Sequence, residues 1–235
     1  MNESQASNET HGMASMADVG GAVQVQSVPR MDATADYAAL DGTARAVLDF
    51  WFGAPGTPAF GRSSRHWFVR DEAFDALIAE RFAATLAGAR HGAFDSWRGT
   101  PLGALALVVV LDQFSRNTCR GRPEGFAADP RALEVARGLV AGGADRDLPS
   151  AEHRAFAYLP FEHAESLAAQ RESVRLFESL ARETGARGQG SYVDNAYRHA
   201  AIIERFGRFP HRNAVLGRAS TEEELAFLRE PGASF

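Results

Sequence analysis

The sequence predicts an all-α fold of about eight helices in antiparallel order. Three observations lead there. Apolar residues recur at three- and four-residue spacing through most of the chain beyond residue 40. Capping residues (Asp41, Asp71 and Thr100) stand directly before those runs. Finally, Val108-Val-Val110 would suit a strand, but no second strand candidate exists to pair with it.

Asp41 caps a helix carrying Val47, Leu48, Trp51 and Phe52, which stops at Gly53. Asp71 opens a longer helix with Phe74, Leu77, Ile78, Phe82 and Leu86 on one side. Thr100-Pro101 sets a cap and a proline at the first helical position, before a run that is apolar all round from Leu102 to Leu111. Asp129-Pro130 repeats that cap logic for a helix ending at Gly142-Gly143. Ser150 opens a segment in which Pro160 predicts a kink or break, and the next helix runs to about Glu183. Tyr192, Ala196, His199, Ile203 and Phe206 form one inward stripe. Ser220-x-x-Glu223 and Thr221-x-x-Glu224 are alternative capping boxes for a last short helix.

Residues 1–38 hold five acids, one arginine and few large apolar groups, and so read as a disordered tail, with Met31 as an alternative start. Residues 39–235 then form a single helical domain. Of the net charge of −5, about −4 sits in this tail, so the acidity says nothing about partners.

Absent residues exclude whole chemistries. All 25 basic residues are arginine, which removes Schiff-base, Walker-loop and kinase lysine mechanisms. Cys119 is the one cysteine, so disulfides and cysteine-rich zinc sites are out, and it reads as a small core residue. No apolar run reaches the roughly 18 residues of a membrane span. No basic-then-apolar leader opens the chain, so the expected location is cytoplasmic.

Three polar strings lie within apolar helices. The first, Leu111 to Asn117, sets Asp112 and Arg116 four apart on one face, with Gln113 and Asn117 beside them. Its plainest reading is an ion pair that orders the following loop. The second, Arg154 to Glu165, brings Glu162, His163 and Glu165 close together, a set able to do acid–base work but lacking a strong metal-ligand spacing. The third runs from His199 to Asn213 with Arg205, Arg208, Arg212 and His211 around two phenylalanines. Arginine forks grip carboxylate or phosphate in two-point fashion, whereas nucleic acid is disfavoured because the body is near neutral.

Together these strings resemble an uncharacterised bacterial family, domain of unknown function 924. The matching stretches are Val47-Leu-Asp-Phe-Trp-Phe52, Leu111-Asp-Gln-Phe with Arg116-Asn117 and Arg120-Gly121, Tyr158 to Glu165, and Arg205 to Asn213 with Leu216-Gly-Arg218. Ser115 and Cys119 depart from the pattern, where the family usually has proline and an aromatic. The resemblance implies helix hairpins stacked in a tetratricopeptide-like way and implies no activity.

If the strings meet on one side of the stack, Asp112, Arg116, Asn117, Glu162, Arg205, Arg208, Arg212 and Asn213 form a pocket for a small anion or a peptide carboxylate. The alternative is a metal-assisted or acid–base hydrolase built on His163, Glu165, His199 and His211. A pure interaction scaffold, with these residues only structural, is the third reading. No cofactor, no membrane and no nucleic-acid partner is expected, and oligomeric state is not written in the sequence.

Overall fold

The computed structural model describes residues 33–233. Its α-helices are Ala33–Ala38 (α1), Gly42–Phe52 (α2), Glu72–Arg90 (α3), Pro101–Val108 (α4), Ser115–Thr118 (α5), Asp129–Ala141 (α6), Ala151–His163 (α7), Leu167–Thr184 (α8), Tyr192–Phe206 (α9) and Glu222–Phe227 (α10). No strand occurs among the described residues. The fold is therefore all-α.

The expected caps at Asp41, Asp71 and Thr100 accept backbone N–H bonds at the starts of α2, α3 and α4. Of the two capping boxes, Thr221 with Glu224 forms. Three expectations need correction. The tail does not extend to residue 38: α1 is folded, and the Tyr37 hydroxyl donates to Asp49 on α2. Residues 1–32 lie outside the described region. Asp129 does not cap α6, because its carboxylate is drawn away by two arginines. Pro160 does not break α7, which carries on to His163; the proline removes one backbone donor, and only three helical residues follow it. Val108–Val110 is helical as expected, and Val109–Phe114 widens into π-helical winding that joins α4 to α5.

The core forms around this joined helix. Leu105, Leu107, Val109, Val110, Leu111 and Phe114 are fully buried. Each such aliphatic or aromatic side chain contributes about 1.5–3 kcal/mol of burial free energy. Against it packs an aromatic cluster in which Trp51 meets Phe114 and Phe156 edge-on, at 5.7 and 5.6 Å between ring centres. His153 belongs to this core: it stacks on Phe52 at 4.1 Å and its Nδ1 lies 2.7 Å from the Ser150 hydroxyl.

Gly53 closes α2 at φ 80°, and a Cβ there would lie 2.8 Å from that of Ala59. Gly53→Ala is expected to destabilise by about 2–4 kcal/mol through strain and overlap together, read as a lower denaturation midpoint. Towards the C-terminus α7, α8 and α9 pack successively. Only residues 164–166 join α7 to α8, so the chain reverses there and the two form a hairpin. That reversal brings the end of α7 beside α9 and the π segment.

Candidate functional site

The π turn buries Asp112 and Gln113 at the end of an otherwise apolar helix. Such wide turns recur at functional sites because they re-aim a side chain without ending the helix. Asp112 is fully buried and saturated. Its Oδ1 accepts from His163 Nδ1 at 2.7 Å and faces Arg116 Nη1 at 2.9 Å, while Oδ2 accepts from Gln113 at 2.6 Å. Arg116 also forks onto Asp129 at the start of α6, with bonds of 2.8 and 2.9 Å.

Asp129 in turn accepts from Arg212 Nη1 at 3.3 Å. The Arg212 guanidinium lies over two rings, Phe126 at 4.7 Å and Phe209 at 4.5 Å. Phe209 meets the His199 ring at 5.6 Å, and His199 meets His163 at 6.4 Å. These contacts close on themselves. A circuit runs from Asp112 through His163, His199, Phe209, Arg212, Asp129 and Arg116 back to Asp112. His211 joins it through Phe209, at 5.6 Å between rings.

Glu162 stands at the edge of the circuit. Its Oε1 is 3.3 Å from His199 Nδ1 and its Oε2 is buried with no hydrogen-bond partner among the described residues. The same His199 nitrogen donates to the Asn195 carbonyl at 2.8 Å, which fixes the proton on Nδ1 because a carbonyl can only accept.

Burial and charge set the protonation states. Burial opposes ionisation of Asp112, but the Arg116 charge and the His163 and Gln113 contacts outweigh it and hold the carboxyl well below the usual range. Burial and the nearby Asp112 charge push Glu162 up to about 8, so it is mostly a neutral acid at pH 7. Burial takes His199 down to about 3, and burial with the Arg212 charge takes His211 to about 4. His163 is also lowered, by burial and by Arg116, against the pull of Asp112. The His163–Asp112 contact is thus a hydrogen bond from a neutral ring, not an ion pair. Burial and the neighbouring Arg116 bring Arg212 down to about 10, still charged at neutral pH.

The remaining expected residues stand outside the circuit. Asn117 turns to α3 and donates to Asp75 at 2.7 Å. Arg205 pairs with Glu223 at the surface, and Arg208 forks onto Glu224 with bonds of 2.7 and 2.9 Å. Their forks are therefore occupied rather than open. Asn213 is buried, donates to Glu224 and Ser220, and accepts from Arg218. Glu165 takes two bonds from Arg218 and one from the Phe209 backbone N–H. Together Glu165, Arg208, Asn213 and Arg218 fix the turn that presents Phe209 and Arg212. Sequence reasoning missed Asp129 and Phe126. The only available signal was that Arg116 and Arg212 needed a second buried acid.

No group of three or more His, Cys, Asp or Glu side chains among the described residues is arranged to hold a metal ion. No described helix is long and apolar enough to cross a membrane.

The model of a family described as "Bacterial protein of unknown function (DUF924)" matches residues 47–232. The chain belongs to this family. A solved structure, described as a protein of unknown function, ATU0120, from Agrobacterium tumefaciens, is similar to this DUF924 member at 38% identity and a TM-score of 0.69. The match covers 79% of this chain and 96% of that one. No curated protein matches. The residues matched by the DUF924 model include the whole circuit from Asp112 to Arg212.

Proposed function

We propose that this DUF924 protein binds a small anionic molecule, or the carboxylate end of a peptide, through Arg212. The observation that carries this reading is an under-used buried cation. Arg212 is 6% exposed, its guanidinium makes one hydrogen bond among the described residues, and its Nε is buried without a partner there. A guanidinium has five donors, and leaving them dry is unfavourable unless an acceptor arrives. The two phenylalanine rings and Asp129 hold the fork in place beforehand, which lowers the entropy lost on binding.

The test is calorimetric titration with butyrate, inorganic phosphate and a short peptide, on the parent protein and on Arg212→Met. A charge-assisted bond is worth about 1.5–3 kcal/mol, so Arg212→Met should weaken binding of the preferred anion by at least about tenfold. Arg205→Ala, at an exposed pair outside the circuit, should leave affinity unchanged. Equal binding by the Arg212→Met protein, with its fold verified by circular dichroism, rules the reading out.

A second reading, acid–base catalysis, is favoured by the Asp112–His163 bond. That bond holds the His163 ring by Nδ1 and leaves Nε2 as the basic nitrogen, with neutral Glu162 nearby as a proton source. His199 and His211 flank the same rings, whereas Glu165 is consumed by Arg218.

A further inference from the structure

Glu162 is the second unsatisfied group of the circuit. It is 3% exposed, yet Oε2 has no partner among the described residues and Oε1 has only the long contact to His199, whose Nδ1 proton is already given to Asn195. A buried carboxyl left this way carries a desolvation penalty that a ligand atom would relieve. Three contacts link it to Arg212: Glu162 touches His199, His199 meets Phe209, and Phe209 carries the Arg212 guanidinium. Both under-satisfied groups therefore border the same pair of rings, His199 and Phe209.

Resting on the Arg212 reading, we propose that the site takes a small hydroxy- or oxo-monocarboxylate, with its carboxylate on Arg212 and its hydroxyl or carbonyl oxygen on the Glu162 carboxyl. Charge selects the monocarboxylate. Arg116 and Arg212 are already balanced by Asp112 and Asp129, so a dianionic phosphate would leave twice the uncompensated charge in a buried place.

A neutral Glu162 can donate as well as accept, which matches a ligand oxygen of either kind. Burial and the Asp112 charge keep it neutral; the groups facing it are Asp112 from the π turn, with Arg116 behind it, His163 beside it on α7, and His199 and Tyr192 from α9. Asp112 is the anion among these, and the two histidines and the tyrosine are uncharged near pH 7.

The experiment is calorimetric titration of the full chain with butyrate and with 2-, 3- and 4-hydroxybutyrate, a series that moves the hydroxyl along one carbon frame. At pH 7 one of the hydroxy acids should bind about tenfold more tightly than butyrate. Glu162→Ala should erase that advantage, so that the favoured hydroxy acid and butyrate bind alike. Glu162→Gln, which retains an uncharged donor and guards against misfolding of the alanine variant, should keep it. Equal affinity for butyrate and all three hydroxy acids overturns the Glu162 assignment and leaves the Arg212 reading standing. Absence of binding by every acid overturns both.

Discussion

Asp112→Ala should lower the stability of the protein by about 3–5 kcal/mol, the range for removing one partner of a buried ion pair. The loss is large because the carboxylate has three separate partners. Without it Arg116 keeps only Asp129 and the Asp112 backbone carbonyl, His163 loses the acceptor that orients its ring, and Gln113 is left with a buried amide. Thermal unfolding should show a drop of about 6–20 °C, given roughly 2–4 °C per kcal/mol in a chain of this size. Asp112→Asn should fall between the parent and alanine, since an amide preserves shape and one acceptor. An alanine variant as stable as the parent would show that the circuit is loosely held.

Acid should unfold the protein well above the carboxylate range. In the unfolded chain histidines titrate near 6.5, but the folded state holds His153 down to about 3, His199 to about 3 and His211 to about 4. Below pH 6.5 the unfolded state therefore takes up protons that the native state refuses, and stability falls with pH. Glu162 works in the opposite sense. Its folded value of about 8 lies above the unfolded 4.5, so its contribution is complete below pH 4.5 and is lost as pH rises through 8. Between pH 6.5 and 4.5 the difference amounts to about two protons, or about 2.7 kcal/mol per pH unit. Above pH 6.5 only Glu162 remains, and stability falls more gently, at about 1.4 kcal/mol per unit until pH 8. Urea midpoints measured from pH 4.5 to 8 should peak near 6.5 and drop steeply on the acid side. A flat profile would mean that these histidines titrate normally in the folded state.

The parts of this molecule that were legible in its sequence share one property: they depend on neighbours a few residues away. Helix caps at Asp41, Asp71 and Thr100 and the Asp112–Arg116 pair follow from spacing along one helix. The π turn left no comparable mark, since Val109–Phe114 reads as ordinary helix. Asp129 looked like a cap because it precedes Pro130, and only the tertiary approach of Arg116 and Arg212 draws it elsewhere. Arg205 and Arg208 looked open because their acids, Glu223 and Glu224, lie more than a dozen residues away, where a capping box accounted for them. The meeting of His163 with His199 rests on the reversal between α7 and α8, which no local pattern encodes.

The π turn also makes the site sensitive to chain length. Each residue of a helix advances the winding by about 100°, and a wide turn absorbs one residue beyond the regular repeat. Deleting a single residue outside the circuit between 109 and 114 would close this stretch into regular winding, keeping the flanking segments in phase but removing the turn that aims Asp112. The Asp112 carboxylate would then leave its place between Arg116, His163 and Gln113. A point substitution here removes one contact, but a one-residue deletion would dismantle the whole circuit while leaving every one of its side chains in the sequence.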